Sequence, residues 1–359
     1  MTRVTMQQVA DAVGVTKMTV SNAYSRPERL SRGMRERILA TAAELGYAGP
    51  DATARALARG RSGVVGVLLT DSPLEAFVDE VAVEFMAAIA RGLSARALSM
   101  TLLAASRTPE LVPARDLPMD GVVVYGCSAD SEALNVVLER RLPTVIVDQA
   151  LVEGTASVNI DDRGGARAAA AHLHALGHRR VAAISPAPVA GYRGHTTERL
   201  QGWREGLDGG HLDAVTAPGT LSAVDGAALA RDLLSGPRRP TAVLCFSDTI
   251  AAGVLEAAGQ LGLRVPEDLS VVGFDDSPLA ARLRLTTVRQ DVTAKGESVV
   301  DALLRAMDAR VADRPLPVAR TQLPTELVVR ASTGPVPPDG PPAPARRSRR
   351  AGGRSPTSP

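Results

Sequence analysis

Two periodicities in the 359 residues predict the fold class: an N-terminal all-α head followed by a body of doubly wound α/β lobes built on parallel sheets. Across residues 5–46, apolar positions recur at helical spacing between polar caps and glycine stops. From Val64 onward, short β-branched runs alternate with Ala/Leu-rich amphipathic stretches. Charge divides the chain at the same place. Residues 1–61 carry +5 and residues 331–359 carry +4, so 62–330 hold −7 within a total of +2. A basic head on an acidic body predicts a polyanionic partner for the head alone.

The head, residues 1–48, reads as three helices. Thr5 and Gln8 have the spacing of a capping box; Met6, Val9, Ala10 and Val13 then follow at i, i+3, i+4 and i+7 before Gly14 stops the helix. Thr16 caps a second helix running to about Tyr24, whose core face is Val20, Ala23 and Tyr24. Lys17, Met18, Ser21 and Asn22 then lie on the opposite side. Ser31 caps a third helix, with Met34, Ile38, Ala42 and Leu45 facing inward and Gly46 as its stop. Two short helices joined at a glycine and closed by a third make a helix-turn-helix. A solvated polar stripe is the bland reading of Lys17, Met18 and Asn22. An exposed Met beside a Lys and an Asn fits a groove-reading face better, because Asn pairs bidentately with adenine, Lys contacts guanine and Met contacts a thymine methyl.

Residues 49–63 form a linker between breakers, with helix-forming content over 52–59. A helix that short is marginal alone in water and is expected as coil until something packs on it. The body, 64–330, shows strand-like runs at 64–69, 100–104, 121–125, 144–148, 180–185, 242–246 and 269–274, with helical stretches between them. Over 260 residues this predicts two lobes, and ligands of open α/β sheets bind at the carboxyl ends of the strands, so the default site is a cleft between them. Residues 331–359 are rich in Pro, Gly, Ser and Arg and are expected as a disordered basic tail.

Several function classes are excluded or weakened. No run approaches the roughly 20 apolar residues of a membrane span, and the first ten residues lack the apolar core of a secretory signal, so a cytoplasmic, nucleoid-associated protein is expected. Cys127 and Cys245 read as buried reduced thiols. His172, His174 and His178 resemble a metal cluster, but Gly177 breaks the helix before His178, and helix C-terminal cations are the simpler reading. Asp161-Asp162 and Asp275-Asp276 read as caps and ligand acceptors, since no neighbouring nucleophile, metal set or phosphate loop accompanies them. No catalytic residue, metal or cofactor is expected.

The segments Val9-Ala10-Asp11-Ala12-Val13-Gly14-Val15-Thr16-Lys17-Met18-Thr19-Val20-Ser21, Ala54-Arg55-Ala56-Leu57, Leu176-Gly177-His178-Arg179-Arg180-Val181, Arg199-Leu200-Gln201-Gly202-Trp203 and Val265 to Asp276, in this order and spacing, resemble the LacI family of bacterial transcription regulators over residues 4–330. The resemblance implies a body like that of periplasmic sugar-binding proteins and a homodimer or tetramer on palindromic double-stranded operator DNA. It also implies a small-molecule effector, a sugar or related metabolite, that changes operator affinity. It assigns DNA contact to Thr5, Thr16, Lys17, Met18, Thr19, Ser21, Asn22, Arg55 and Leu57, with Leu57 as a minor-groove wedge. Effector contact falls to Phe77, Tyr125, Arg199, Trp203, Asp248 and Asp275. From the residues alone, Arg199 reads equally as a structural salt bridge; the resemblance favours a ligand clamp. The chain departs from the family pattern at Asn22, often Arg, at the extra residue in Tyr47-Ala48-Gly49-Pro50, and at Ser247, usually Asn. The competing functions are a solute receptor with an incidental basic head and an α/β enzyme.

Overall fold

A computed structural model describes residues 4–50, 56, 60–69, 77, 79–104, 112–126, 131–187, 194–217, 222–236 and 239–336. Arg55, Leu57, Cys127, nearly all of the expected linker helix and the tail from 337 lie outside the described residues. The chain forms two compact units. One comprises Met1–Val64 with Pro118–Asp120, and the other the remainder.

In the first unit, α1 (Met6–Val13) carries the expected reciprocal capping box between Thr5 and Gln8 and ends at Gly14, whose φ of 76° suits glycine. Helices α2 (Lys17–Ser25) and α3 (Arg32–Glu44) are capped by Thr16 and Ser31, and a 3₁₀ turn at Pro27–Arg29 joins them. Val9, Ala10, Val20, Ala23, Ile38 and Ala42 form the buried core, with the Tyr24 and Tyr47 rings edge to face at 6.1 Å. Leu45, expected inward, is 39% exposed, because it is the C-cap residue where the chain leaves the helix. Beyond the linker, the Asp120 carboxylate accepts hydrogen bonds from the Ser62 and Gly63 amides and the Ser62 hydroxyl.

The second unit contains two lobes. Lobe one is a six-stranded sheet ordered β11-β5-β4-β3-β1-β2, with β1 at Val64–Leu69, β2 at Ser99–Ala104, β3 at Gly121–Tyr125, β4 at Thr144–Val147, β5 at Ala156–Ile160 and β11 at Arg320–Leu323. Its core face packs on α4 (Glu80–Ser94) and α12 (Val292–Val311) through Phe85, Ile89, Leu93, Val299 and Leu303. Short α5 (Pro113–Asp116) and α6 (Glu132–Glu139) complete it.

Lobe two is a parallel sheet ordered β7-β6-β8-β9, formed by His211–Ala217, Arg180–Pro186, Ala242–Cys245 and Ser270–Val272. Helices α7 (Asp162–Ala175) and α8 (His195–Gly206) contribute Leu173, Leu200 and Trp203 to the core on one face. Helices α9 (Ala223–Ser235) and α10 (Asp248–Gln260) contribute Ala230, Leu234, Ile250 and Val254 on the other. Short α11 (Pro278–Arg282) follows β9. Helix α8 lies on α7 at glycine distance: a Cβ at Gly202 or Gly206 would sit 2.3 Å from the Arg163 or Arg167 carbonyl oxygen.

The chain passes between the lobes after β5, after β10 (Thr287–Gln290) and between β11 and β12 (Thr325–Val328). Strands β10 and β12 pair antiparallel, so the second and third crossings lie side by side. The expected disordered tail begins later than residue 331. Ser332 is buried, its carbonyl accepting from the Val271 amide and its hydroxyl from the Thr286 amide. Gly334 donates to Ser270 Oγ, and the Val336 amide bonds the Leu176 carbonyl. These bonds extend lobe two by one tied-down segment, a contribution that Pro/Gly composition conceals.

Candidate functional site

On α2, the Thr16 hydroxyl accepts from the Thr19 amide and shares a hydrogen bond with the Thr19 hydroxyl, so both side chains hold the helix start. Thr5 does the same for α1. Lys17 is exposed and Met18 is 68% exposed, while Ser21 and Asn22 are half-buried on the side away from Val20 and Ala23. The Ser21 carbonyl accepts from the Ser25 hydroxyl. A helix that spends an apolar thioether on solvent, between an ammonium and a carboxamide, presents a face shaped for a partner with both phosphate charge and methyl groups. The structure thus brings Lys17, Met18, Ser21 and Asn22 together on one surface.

Between the lobes, buried ionisable groups meet at the carboxyl ends of both sheets. Arg199 on α8 is 5% exposed. Its Nε donates to Asp162 Oδ1 at 2.7 Å, its Nη1 to the Phe246 carbonyl at 2.5 Å, and its Nη2 lies 3.8 Å from Asp275 Oδ1. The guanidinium stacks over Phe274 at 3.5 Å and Phe246 at 4.4 Å. Gln290 Nε2 donates to Asp275 Oδ1 at 2.7 Å, while Gln290 Oε1 accepts from Lys295 Nζ at 2.9 Å. Lys295, fully buried on α12, also donates to Asp148 Oδ2 at 2.6 Å. Asp148, Lys295, Gln290, Asp275, Arg199 and Asp162 form one polar chain from the end of β4 to the start of α7, crossing from lobe one to lobe two at Gln290. His195 Nδ1 adds a second crossing to the Asp148 carbonyl at 2.9 Å.

Burial pushes the Asp275 carboxyl well above its ordinary range; Asp248 and Asp79 add like charge, while Arg199 and the Gln290 hydrogen bond act against the shift. Asp275 also has φ 113° and Asp276 φ 57°, conformations that cost non-glycine residues of order 1–3 kcal/mol each and concentrate at functional positions. Asp276 is anchored by Arg289 and Arg330. Tyr125, at the end of β3, packs on Phe85 at 4.8 Å; burial and the carboxylates of Asp148, Asp79 and Asp275 push its phenol up. Asp79 caps α4 through the Val81 amide, and burial raises its carboxyl.

Of the expected effector residues, Tyr125, Arg199 and Asp275 therefore converge. Trp203 does not join them, because it is 1% exposed in the core between α8 and the lobe-two sheet. Asp248 is also withdrawn: its oxygens accept from the Thr287 hydroxyl at 2.6 Å and the Ser277 amide at 2.8 Å, and burial raises its carboxyl to about 6. It pins β9, α11 and β10 to one another. Phe77 is 56% exposed. Asp79, Asp148, Asp162, Gln290 and Lys295 were missed. The usable signal was Asp148 at the end of the 144–148 run and the lone lysine of an apolar helix, Lys295.

The histidines are not the expected cations. Burial lowers His172 and His178, which bond the Thr333 hydroxyl and the Gly334 carbonyl and so hold the C-terminal segment. Among the described residues no His/Cys/Asp/Glu group could hold a metal ion, and no helix is long and apolar enough to cross a membrane. Cys245 is buried, and burial pushes its thiol up.

The family model described as bacterial regulatory proteins, lacI family, matches residues 5–49, and a periplasmic binding protein-like domain matches 170–333. The HTH-type transcriptional regulator IpsA of Corynebacterium glutamicum is 35% identical over 327 residues, covering 85% of this chain and 91% of that protein. The ribose operon repressor of Escherichia coli is 29% identical over 342 residues, 91% and 99% of the two chains. Among solved structures, the lac repressor dimer bound to operator and the anti-inducer ONPF superposes with TM-score 0.75 at 27% identity, covering 93% of this chain and all of that one. The regulator CelR in complex with cellobiose gives 0.66 at 27% identity, covering 92% and 100%. The head's capped helices, the two crossed-over lobes and these likenesses together make this chain a member of the lacI family of bacterial regulatory proteins, a sequence-specific DNA-binding transcriptional regulator.

Proposed function

We propose that the protein is a repressor that binds a palindromic operator as a homodimer in the bacterial nucleoid, reads it with Lys17, Met18, Ser21 and Asn22, and releases or tightens it when a neutral sugar-like effector enters the interlobe cleft. It works by binding and not by catalysis. The observation that carries the effector reading is the buried chain from Asp148 to Asp162, whose polar groups are drawn from both lobes around one cleft. Asp79, Asp148 and Asp275 outnumber Arg199 and Lys295 there, which disfavours an anionic ligand and favours hydroxyls that donate to carboxylates. Support also comes from the cellobiose complex among the structural relatives. In that role Tyr125, Asp275 and Arg199 contact the ligand, with Phe77 near the mouth. Arg55 and Leu57 are proposed to order on DNA, with Leu57 filling an unstacked base step.

Thermal-shift screening against sugars, followed by operator gel shifts with and without each hit, tests this. A sugar that stabilises the wild type, fails to stabilise Asp275→Asn and changes operator affinity is the expected result. Ligand binding that leaves operator affinity unchanged in every case would refute the regulatory reading.

A further inference from the structure

A second cavity, about 420 Å³, lies on the flank of the hinge and is lined by Gln149, Ser157, Asn159 and Gln322 from lobe one and by His195 and Glu198 from lobe two. Ala156 and Val158 of β5 point into the core beneath α4 and α12, so Ser157 and Asn159 face the other way, into this cavity. Neither Tyr125, Arg199, Asp275, Gln290 nor Lys295 lines it. The cavity is therefore separate from the cluster assigned to the effector, although it touches both lobes.

Its wall is short of hydrogen-bond donors. Gln149 is only 4% exposed, and its Oε1 has no partner. Asn159 Nδ2 donates to the Gln149 carbonyl at 3.2 Å, which fixes the orientation of that amide and leaves the buried Asn159 Oδ1 also without a partner. Buried acceptors left unmatched are costly and point to an occupant that donates. The wall can give as well as receive: Gly194, the N-cap of α8, offers no side-chain cap to the first helical amides, and Ser157 and Thr321 are hydroxyls. Charge is balanced. Asp148 and Asp162 are already paired with Lys295 and Arg199, and Glu198 is offset by Arg320. A ligand that both donates and accepts and carries no net charge is a polyol.

We propose that this hinge-flank cavity is a second binding site, for a small neutral polyol whose hydroxyls donate to Gln149 Oε1 and Asn159 Oδ1. Bound there, the polyol bridges β5 and β11 to the N-terminus of α8 and biases the angle between the lobes. The site does not depend on the effector reading above.

The test uses the full chain with ribitol as probe, by calorimetry and by crystallography of the soaked protein. Ribitol is expected in the cavity, within hydrogen-bond distance of both amide oxygens. Asn159→Leu and Gln149→Met should each weaken it about tenfold, and Asp275→Asn should leave it unchanged. Circular dichroism identifies any variant that fails to fold, and the other then decides. Four outcomes overturn the proposal: water alone on the two oxygens, ribitol only at the Asp275 cluster, binding at crystal concentration only, or unchanged affinity in the folded variants. Preferential binding of ribose 5-phosphate in the cavity would overturn the neutral class. Loss of effector response with ribitol still seated would sink the effector reading and not this one.

Discussion

Lys295→Met is the sharpest test of how the two lobes are held. The substitution keeps the volume and apolar contacts of a fully buried side chain but removes the donor 2.6 Å from Asp148 and 2.9 Å from Gln290 Oε1. At an effective dielectric of 20, opposite charges at that separation attract by about 6 kcal/mol before desolvation is subtracted. Breaking such a pair from one side leaves a buried carboxylate uncompensated, which costs about 3–5 kcal/mol. For a body of this size, each kcal/mol moves the midpoint by about 2–4 °C, so a fall of roughly 10 °C is expected. The double variant Lys295→Met/Asp148→Asn removes both charges and should recover most of the loss, because apolar replacement of a complete buried pair is near neutral. Urea unfolding followed by circular dichroism, with the single tryptophan Trp203 reporting lobe two, gives all four corners of the cycle. If Lys295→Met alone were as stable as wild type, the ion pair would contribute nothing and the proposed link through Gln290 would fail with it.

Three further outcomes follow from the same coordinates. Asp248 titrates at about 6 when folded, above its ordinary value of 3.8, so its contribution to stability is present at low pH and lost as pH rises through 6. Relative to Asp248→Asn, wild type should lose about 3 kcal/mol between pH 4 and 7, read from denaturant midpoints. Truncation after Arg330 strips the Val271 and Thr286 amides of their Ser332 partners and should cost about 3–6 kcal/mol, whereas truncation after Val336 should leave the melting temperature unchanged. Asn22→Ala and Lys17→Ala should relax operator preference by roughly 1–3 kcal/mol at one base pair each in a randomised-site selection, with unchanged folding.

The head was legible almost residue by residue, because its signals are local. Thr5, Thr16 and Ser31 cap the helices they were expected to cap, and Gly14 and Gly46 sit at positive φ where the chain leaves a helix. The buried strands β1, β3, β4, β6 and β8 were legible as apolar runs. Strands β7, β11 and β12 were not, because edge and crossing strands face solvent and their residues, such as His211, Asp213, Arg320 and Glu326, break the hydrophobic pattern. The cleft was half-legible. Arg199 and Asp275 stand in recognisable motifs, but Asp148 and Lys295 are 147 positions apart in sequence, and only the crossing after β10 brings them to 2.6 Å. Trp203 was misassigned for a related reason: one turn along α8 from Arg199, it points into the core on which that arginine is mounted.

The crossings also say what a ligand must do. Asp275 ends the β9 region of lobe two, while Gln290, its hydrogen-bond partner, is the last residue before the chain re-enters lobe one and bonds Lys295. Any ligand group that takes Asp275 Oδ1 competes with Gln290 for it, and so loosens or re-aims the lobe-one end of the chain. Binding to lobe two alone would shift nothing, since only a difference in affinity between two lobe arrangements moves their populations, and reversing a 1:99 equilibrium takes about 5.5 kcal/mol of difference. Relief of strain at Asp275 and Asp276, of order 1–3 kcal/mol each, together with one exchanged charge-assisted hydrogen bond, is of that size. The strained aspartate pair is thus more than a ligand contact: it is where binding energy can be converted into lobe movement, and Asp275→Gly, which removes both strain and carboxylate, should flatten the effector response while leaving operator affinity in the free protein close to wild type.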